Sequence, residues 1–170
     1  MTIAEQIYEE LRSNYDHSPV YVEELVQESC PYRTYLRVKG EKGENWNARK
    51  ILLARGAHNY RVRVRRYFEE AFEDTFQKGH LLSGLVSLDI FGFLDDDLVE
   101  VAVVSDAKYN EVRPPISTMV ALAVKANEAQ VDKAYLILCN QNSQDWCCWE
   151  VTGDFKATAE PVLEDVAYVS

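Results

Sequence analysis

The chain predicts an α/β fold, a mixed β-sheet flanked by helices behind an N-terminal helical segment, and three observations carry that reading. Up to about residue 76 the apolar positions recur with helical spacing. After Gly79 the period becomes extended. From there the order runs strand, strand, helix, strand, strand, which describes a mixed sheet covered by helices. At 170 residues the chain is the size of one ordinary domain, able to bury a core without disulfides, and it reads as a single domain over 1–170.

The first helix is expected over residues 3 to 14, with Thr2 and Glu5 suited to a capping box and Ile3, Ile7, Tyr8 and Leu11 on one face. Asn14 to Pro19 breaks it. A second helical stretch, Val22 to Val38, is interrupted at Cys30-Pro31, where a proline at a first helical position restarts the helix. Gly40 to Gly43 is a loop. From Asn47 to Phe76 the apolar positions fit one long helix or two abutting ones, although Arg61-Val62-Arg63-Val64-Arg65 alternates as a strand would. Leu85 to Leu94 and Leu98 to Lys108 are expected as two strands of a hairpin that turns at Asp95-Asp96-Asp97. Pro114-Pro115 opens a helix to about Ala129, and Ala134 to Cys139 and Trp146 to Val151 are two further strands around a polar turn.

Met1 to Glu10 carries Glu5, Glu9 and Glu10 and no basic stretch ahead of an apolar block, which argues against a secretory leader. No apolar run approaches the ~20 residues that a membrane-spanning helix needs. The expected setting is therefore cytoplasmic and reducing, where four cysteines serve as thiols or metal ligands rather than a disulfide framework.

A net charge of -10 argues against nucleic acid as a partner, but the average conceals a polarised chain. Between Tyr32 and Arg66 lie eleven basic residues against Glu41 and Glu44, a net +9, which leaves seven basic and 26 acidic residues, a net -19, for the remainder. A localised anion-binding surface on an acidic body follows, and Arg55, Arg61, Arg63, Arg65 and Arg66 are its candidate DNA-binding residues. The competing reading is a solvated basic helix.

The stretch that carries chemistry is Asp89 on the first strand with Asp106-Ala107-Lys108 at the end of the second. Side chains two apart on a strand share a face, so Asp106 and Lys108 project together, and Asp89 can approach them across an antiparallel hairpin. Two converging carboxylates make a hard-oxygen site for Mg²⁺ or Mn²⁺, and a nearby ammonium stabilises charge on a phosphorane-like transition state. An acid among apolar strand residues such as those preceding Asp106 needs a role to offset its burial. A salt-bridged pair on an exposed strand is the alternative for Asp106 and Lys108.

A hydrophobic strand with an Asp, a hairpin, a strand ending in (D/E)-x-K, then a helix and more strands resembles the PD-(D/E)XK nucleases, whose core is restriction-endonuclease-like. The chain is similar in particular to RecB-like nucleases, including the small ones associated with CRISPR adaptation. Cys30-Pro31-Tyr32-Arg33 matches their Cys-Pro element, and Arg55-Gly56-Ala57-His58 matches their small-residue-His motif. The resemblance spans roughly Val22 to Asn110. It implies a magnesium-dependent deoxyribonuclease with Asp89, Asp106 and Lys108 as catalytic residues. His58, Asp89, Asp106 and Ala107 would be its metal-binding positions, with Glu69 and Ser87 in an outer shell. In the family the first catalytic Asp usually lies three residues after a Gly; here that position is Ser87, and Asp89 shares its face. The family's Gln and Tyr on the following helix have no counterpart in Ile116 to Ala123.

Many RecB-like members bind an iron-sulfur cluster through one upstream and three downstream cysteines, a count matched by Cys30, Cys139, Cys147 and Cys148. Adjacent strand residues point to opposite faces, so Cys147 and Cys148 are poorly placed to grip one cluster. A zinc site built from Cys139, Cys147, Cys148 and a histidine is a third reading. The implied partners are DNA and a protein of a recombination, phage or CRISPR-adaptation complex; a homo-oligomer is compatible, a membrane is not. The rival function is a catalytically inactive nuclease fold that binds DNA or protein, which Ser87 and the missing Gln favour.

Overall fold

The computed structural model describes residues 1–12, 20–27, 31–40, 48–72, 76–77, 81, 84–104 and 114–169. Its first helix, α1 (Ile3–Arg12), starts from a reciprocal cap: the Glu5 amide donates to Thr2 Oγ1 at 3.2 Å and the Thr2 amide to a Glu5 carboxylate oxygen at 2.6 Å. The expected apolar face of α1 is exposed at Ile3 and Ile7. α2 (Val22–Gln27) and α3 (Pro31–Val38) follow, with Pro31 opening α3, where a missing N–H has no helical partner to lose. Arg37 on α3 grips Glu24 on α2 along one guanidinium edge, Nε and Nη2 donating to its two oxygens at 2.7 and 2.6 Å.

The strand-like alternation around Val62 and Val64 is overridden: Ala48–Ala71 is one continuous helix, α4. Tyr60, Val64 and Phe68 fall four apart on it and pack against Ile90, Val101 and Cys139, so burial of a helical stripe decides the local conformation.

The sheet has five strands in the order β1-β2-β3-β4-β5: β1 (Phe76–Gln77), β2 (Ile90–Leu94), β3 (Asp97–Val104), β4 (Lys133–Asn140) and β5 (Trp146–Thr152). Neighbours are antiparallel except β3 and β4, which run parallel across the helix α5 (Ile116–Ala129). The β2–β3 turn is Asp95-Asp96 alone, with φ of 50° and 70°, the two-residue geometry that matches strand twist. The first hairpin strand is shorter than expected. Residues 85–89 leave the sheet because their backbone groups bond elsewhere: Val86 pairs with Val20 and Val22, and the Leu85 carbonyl accepts from Leu81. β3 is described as far as Val104, and Asp106, Ala107 and Lys108 lie outside the described residues.

A helix absent from the sequence-based order closes the chain. α6 (Phe155–Val169) starts from Asp154, whose Oδ1 accepts the Ala157 N–H at 3.1 Å, and buries Phe155, Ala159, Val162 and Val169. Pro161 inside it disguises the helical period. α5 and α6 cover one face of the sheet over Leu98, Ala102, Leu136, Leu138 and Val151, and α4 covers part of the other. Among the described residues, no helix is long and apolar enough to cross a membrane.

Candidate metal centre

On β3 the side chains of Leu98, Glu100 and Ala102 alternate toward α5, and Glu100 is fully buried between two apolar neighbours. A carboxylate there needs a partner of opposite charge. Lys125 supplies it from α5, within the continuous buried run Ala121 to Ala126, itself only 1% exposed. Its Nζ contacts Glu100 Oε1 and lies 3.1 Å from Glu23 Oε1.

Glu23 belongs to the first turn of α2 and is placed by the stitching of Val20 and Val22 to Val86. Its carboxylate accepts the N–H groups of Leu88 at 3.0 Å and Asp89 at 3.3 Å, and Ser87 Oγ stands 2.9 Å away. Asp89 completes the group. Its Oδ1 accepts Arg61 Nε–H at 3.0 Å, and the Val103 N–H reaches the same oxygen at 3.4 Å.

Carboxylate oxygens of Glu23, Asp89 and Glu100 lie within 4.8 Å of one another, and all three residues are buried. Among the described residues this is the one group of three or more acids, histidines or cysteines close enough to share an ion. Glu100 Oε2 is buried with no hydrogen-bond partner among those residues. Such an oxygen is costly unless something else satisfies it.

Burial pushes the Glu100 carboxyl up to about 7, against the pull of Lys125, and the charges of Asp89 and Glu23 add to the rise. Burial also raises the Asp89 carboxyl, against Arg61. It works against the Glu23 carboxylate too, but there the Lys125 ammonium and the Leu88 N–H win and hold the pKa below its ordinary value. Burial would pull Lys125 down, yet Glu100, Glu23 and Asp89 hold it above the ordinary lysine value, so the ammonium stays charged. Glu100 is the group that takes up a proton near neutrality.

Of the residues expected at the site, Asp89 lies in this group and Ser87 touches it. His58 is exposed on α4 and belongs to no such group; partial burial and the charges of Arg61, Arg55 and Arg65 hold its pKa below the ordinary imidazole value. Glu69 is half-buried on α4, outside the group as well.

The arginines divide. Arg61 is turned inward to Asp89, and Arg65 donates to the Leu88 carbonyl at 3.2 Å, so these two brace the rim of the sheet. Arg63 is exposed and stacks its guanidinium over Tyr60 at 5.7 Å, Arg66 is exposed, and Arg55 is half-buried. Cys147 packs on the α5–α6 face while Cys148 is exposed on the opposite one. Burial raises the Cys139 thiol to about 11. Cys30 lies outside the described residues, and the three other cysteines form no group with a histidine among those described.

Sequence reasoning missed Glu23, Glu100 and Lys125. The signal for Glu100 is in the sequence: it is an acid in the middle of Leu98-Val99-Glu100-Val101-Ala102, where the burial argument for Asp106 holds equally.

No family model matches the chain, and no curated protein does. Solved structures do. The protein named SSO0001 is 12% identical with a TM-score of 0.53, over 100% of this chain and 88% of that one. The LHK-Exo complex with dAMP is 11% identical with a TM-score of 0.53, over 90% and 86%. The alkaline exonuclease LHK-Exo from Laribacter hongkongensis is 8% identical with a TM-score of 0.53, over 96% and 90%. The likeness is one of fold, a mixed sheet flanked by helices.

Proposed function

We propose that the chain is a divalent-metal-dependent nuclease that hydrolyses phosphodiester bonds in DNA. The observation that supports this most is Glu100 Oε2, a buried oxygen without a hydrogen-bond partner among the described residues and part of a group of three acids, in a fold like that of an exonuclease. Carboxylate oxygens are the donors that Mg²⁺ and Mn²⁺ prefer. Asp89 and Glu100 would hold the ion, while Glu23 fixes the backbone at Leu88 and Asp89 that presents it. When bound, the ion would polarise a phosphate oxygen and acidify a water. We assign Asp106 and Lys108, which follow directly on β3, to the same site, with Lys108 countering charge on the phosphate. Arg55, Arg63 and Arg66 are the residues of the basic helix that we assign to backbone phosphates, and His58 to the substrate side of α4.

A second reading, an inactive nuclease fold that binds DNA or protein, is favoured by one specific observation: Arg61 and Lys125 already neutralise much of the acid group. Supercoiled plasmid and labelled single-strand assays separate the two. The wild type is expected to cleave with Mg²⁺ or Mn²⁺ and not with chelator, and Glu100→Gln and Lys108→Ala to be slower by roughly 10²-fold or more. Intact substrates under both metals would give the inactive reading the field.

Metal affinity should depend on pH with a defined sign. Glu100 carries a proton up to about pH 7, and a cation must displace that proton. Calorimetric titration with Mn²⁺ is expected to show affinity climbing between about pH 5 and about pH 7, by at most about tenfold per unit, then levelling off.

A further inference from the structure

Resting on the assignment of an ion to Asp89 and Glu100, we propose that Lys125 is the positioning residue of that site: its ammonium is a resident cation that holds Glu100 and Glu23 together and with which a divalent ion competes. On β3 the residue that follows Glu100 on the same face is Ala102, so the strand itself offers no ammonium at that point. Helix α5 delivers one instead, on an otherwise apolar buried run.

The Lys125 Nζ sits between Glu100 Oε1 and Glu23 Oε1, where a cation shared by two acids belongs. Arg61 does the same for Asp89 from the other side of the sheet. With all three acids ionised, three carboxylates face two cations, a residual charge of -1 rather than the -3 of the bare acids. Electrostatic attraction for an incoming divalent ion is correspondingly weaker. Among the described residues nothing bonds the second Glu100 oxygen, Oε2, which is left to the ion.

The ammonium has somewhere to go when Glu100 turns to an ion. Glu23 Oε1 is 3.1 Å away, and the Phe91 ring lies beneath Nζ at 5.8 Å to its centroid, a face that attracts cations. Lys125 thus sets how tightly the acids hold a metal without needing to reach solvent or substrate.

The test is Mn²⁺ binding, by calorimetry and by the electron paramagnetic resonance of the unbound ion, in full-length wild type and Lys125→Met. The variant is expected to bind Mn²⁺ at least about tenfold more tightly, and its melting temperature to rise with Mn²⁺ more than that of the wild type. Should Lys125→Met fold only with Mn²⁺ present, that rescue is itself the expected result; failure to fold at millimolar Mn²⁺ overturns the proposal. On the wild type, the ¹⁵Nζ signal of Lys125 is expected to shift during Mg²⁺ titration. Binding by the wild type with no gain in the variant overturns the role of Lys125 and leaves the metal site standing. Absence of binding in both proteins removes the metal site as well. A gain in the variant upholds the role of Lys125 whether or not either protein cleaves DNA.

Discussion

Glu100→Ala is expected to lower the free energy of unfolding by about 3–5 kcal/mol, measured by urea denaturation in the presence of chelator. Two effects combine. A fully buried side chain disappears from beneath α5, leaving a void where Leu98, Ala102 and Lys125 had packed around it. The Lys125 ammonium, 1% exposed, also keeps Glu23 as its remaining carboxylate contact. A double variant separates these contributions. Glu100→Leu with Lys125→Met removes both charges and restores volume, and a buried ion pair replaced by apolar groups of similar size is often neutral or stabilising. Glu23 loses the ammonium that opposed its burial, so its pKa rises, but Ser87 Oγ and the amides of Leu88 and Asp89 continue to satisfy its oxygens. The double variant is therefore expected to recover most of the stability lost in Glu100→Ala, to within about 2 kcal/mol of the wild type, with a large coupling energy between the two positions. Additive losses would mean that the buried pair is not what holds α5 to β3.

The architecture was legible wherever a local signal fixes a boundary. Thr2 with Glu5, Pro31, Asp95-Asp96 and Pro115 mark element ends that the structure keeps, and each acts through hydrogen bonds or φ angles within a few residues. The strand-like stretch Arg61 to Arg65 and the helix containing Pro161 were harder, since in both the packing of a stripe against the sheet outweighs the local pattern. At the site, Asp89 could be singled out as an acid in the expected first strand, although the structure starts that strand at Ile90. Its companions could not be assembled, because Glu23 lies 66 residues from Asp89 and Lys125 lies 25 from Glu100. Glu23 reads locally as an acid in a helix first turn, favourable for the helix dipole, and Lys125 as one polar residue of an apolar helix. Only the parallel crossover from β3 through α5 brings Lys125 over Glu100, and only the pairing of Val22 with Val86 brings Glu23 to Asp89.

Asp89→Asn is expected to separate chemistry from folding in a way that Glu100 cannot. The amide is nearly isosteric with the carboxylate, and its carbonyl oxygen can still accept Arg61 Nε–H at 3.0 Å and the Val103 N–H at 3.4 Å. Arg61, which loses its counter-charge, has a side chain 21% exposed and can recover hydration, so the expected loss of stability is below about 1 kcal/mol. Burial already raises the Asp89 carboxyl, so the fold gives up little by losing its negative charge. For an ion the charge matters far more, because Asp89 is one of two acids assigned to hold it. Metal-dependent cleavage is expected to fall by roughly 10³-fold, equivalent to about 4 kcal/mol of lost transition-state stabilisation. The comparison is of initial rates on labelled single-stranded DNA for two proteins shown by urea denaturation to be equally folded. Retention of wild-type rates by Asp89→Asn would move the metal away from the β2 rim and toward the segment beyond Val104, where Asp106 and Lys108 would then have to carry the reaction without it.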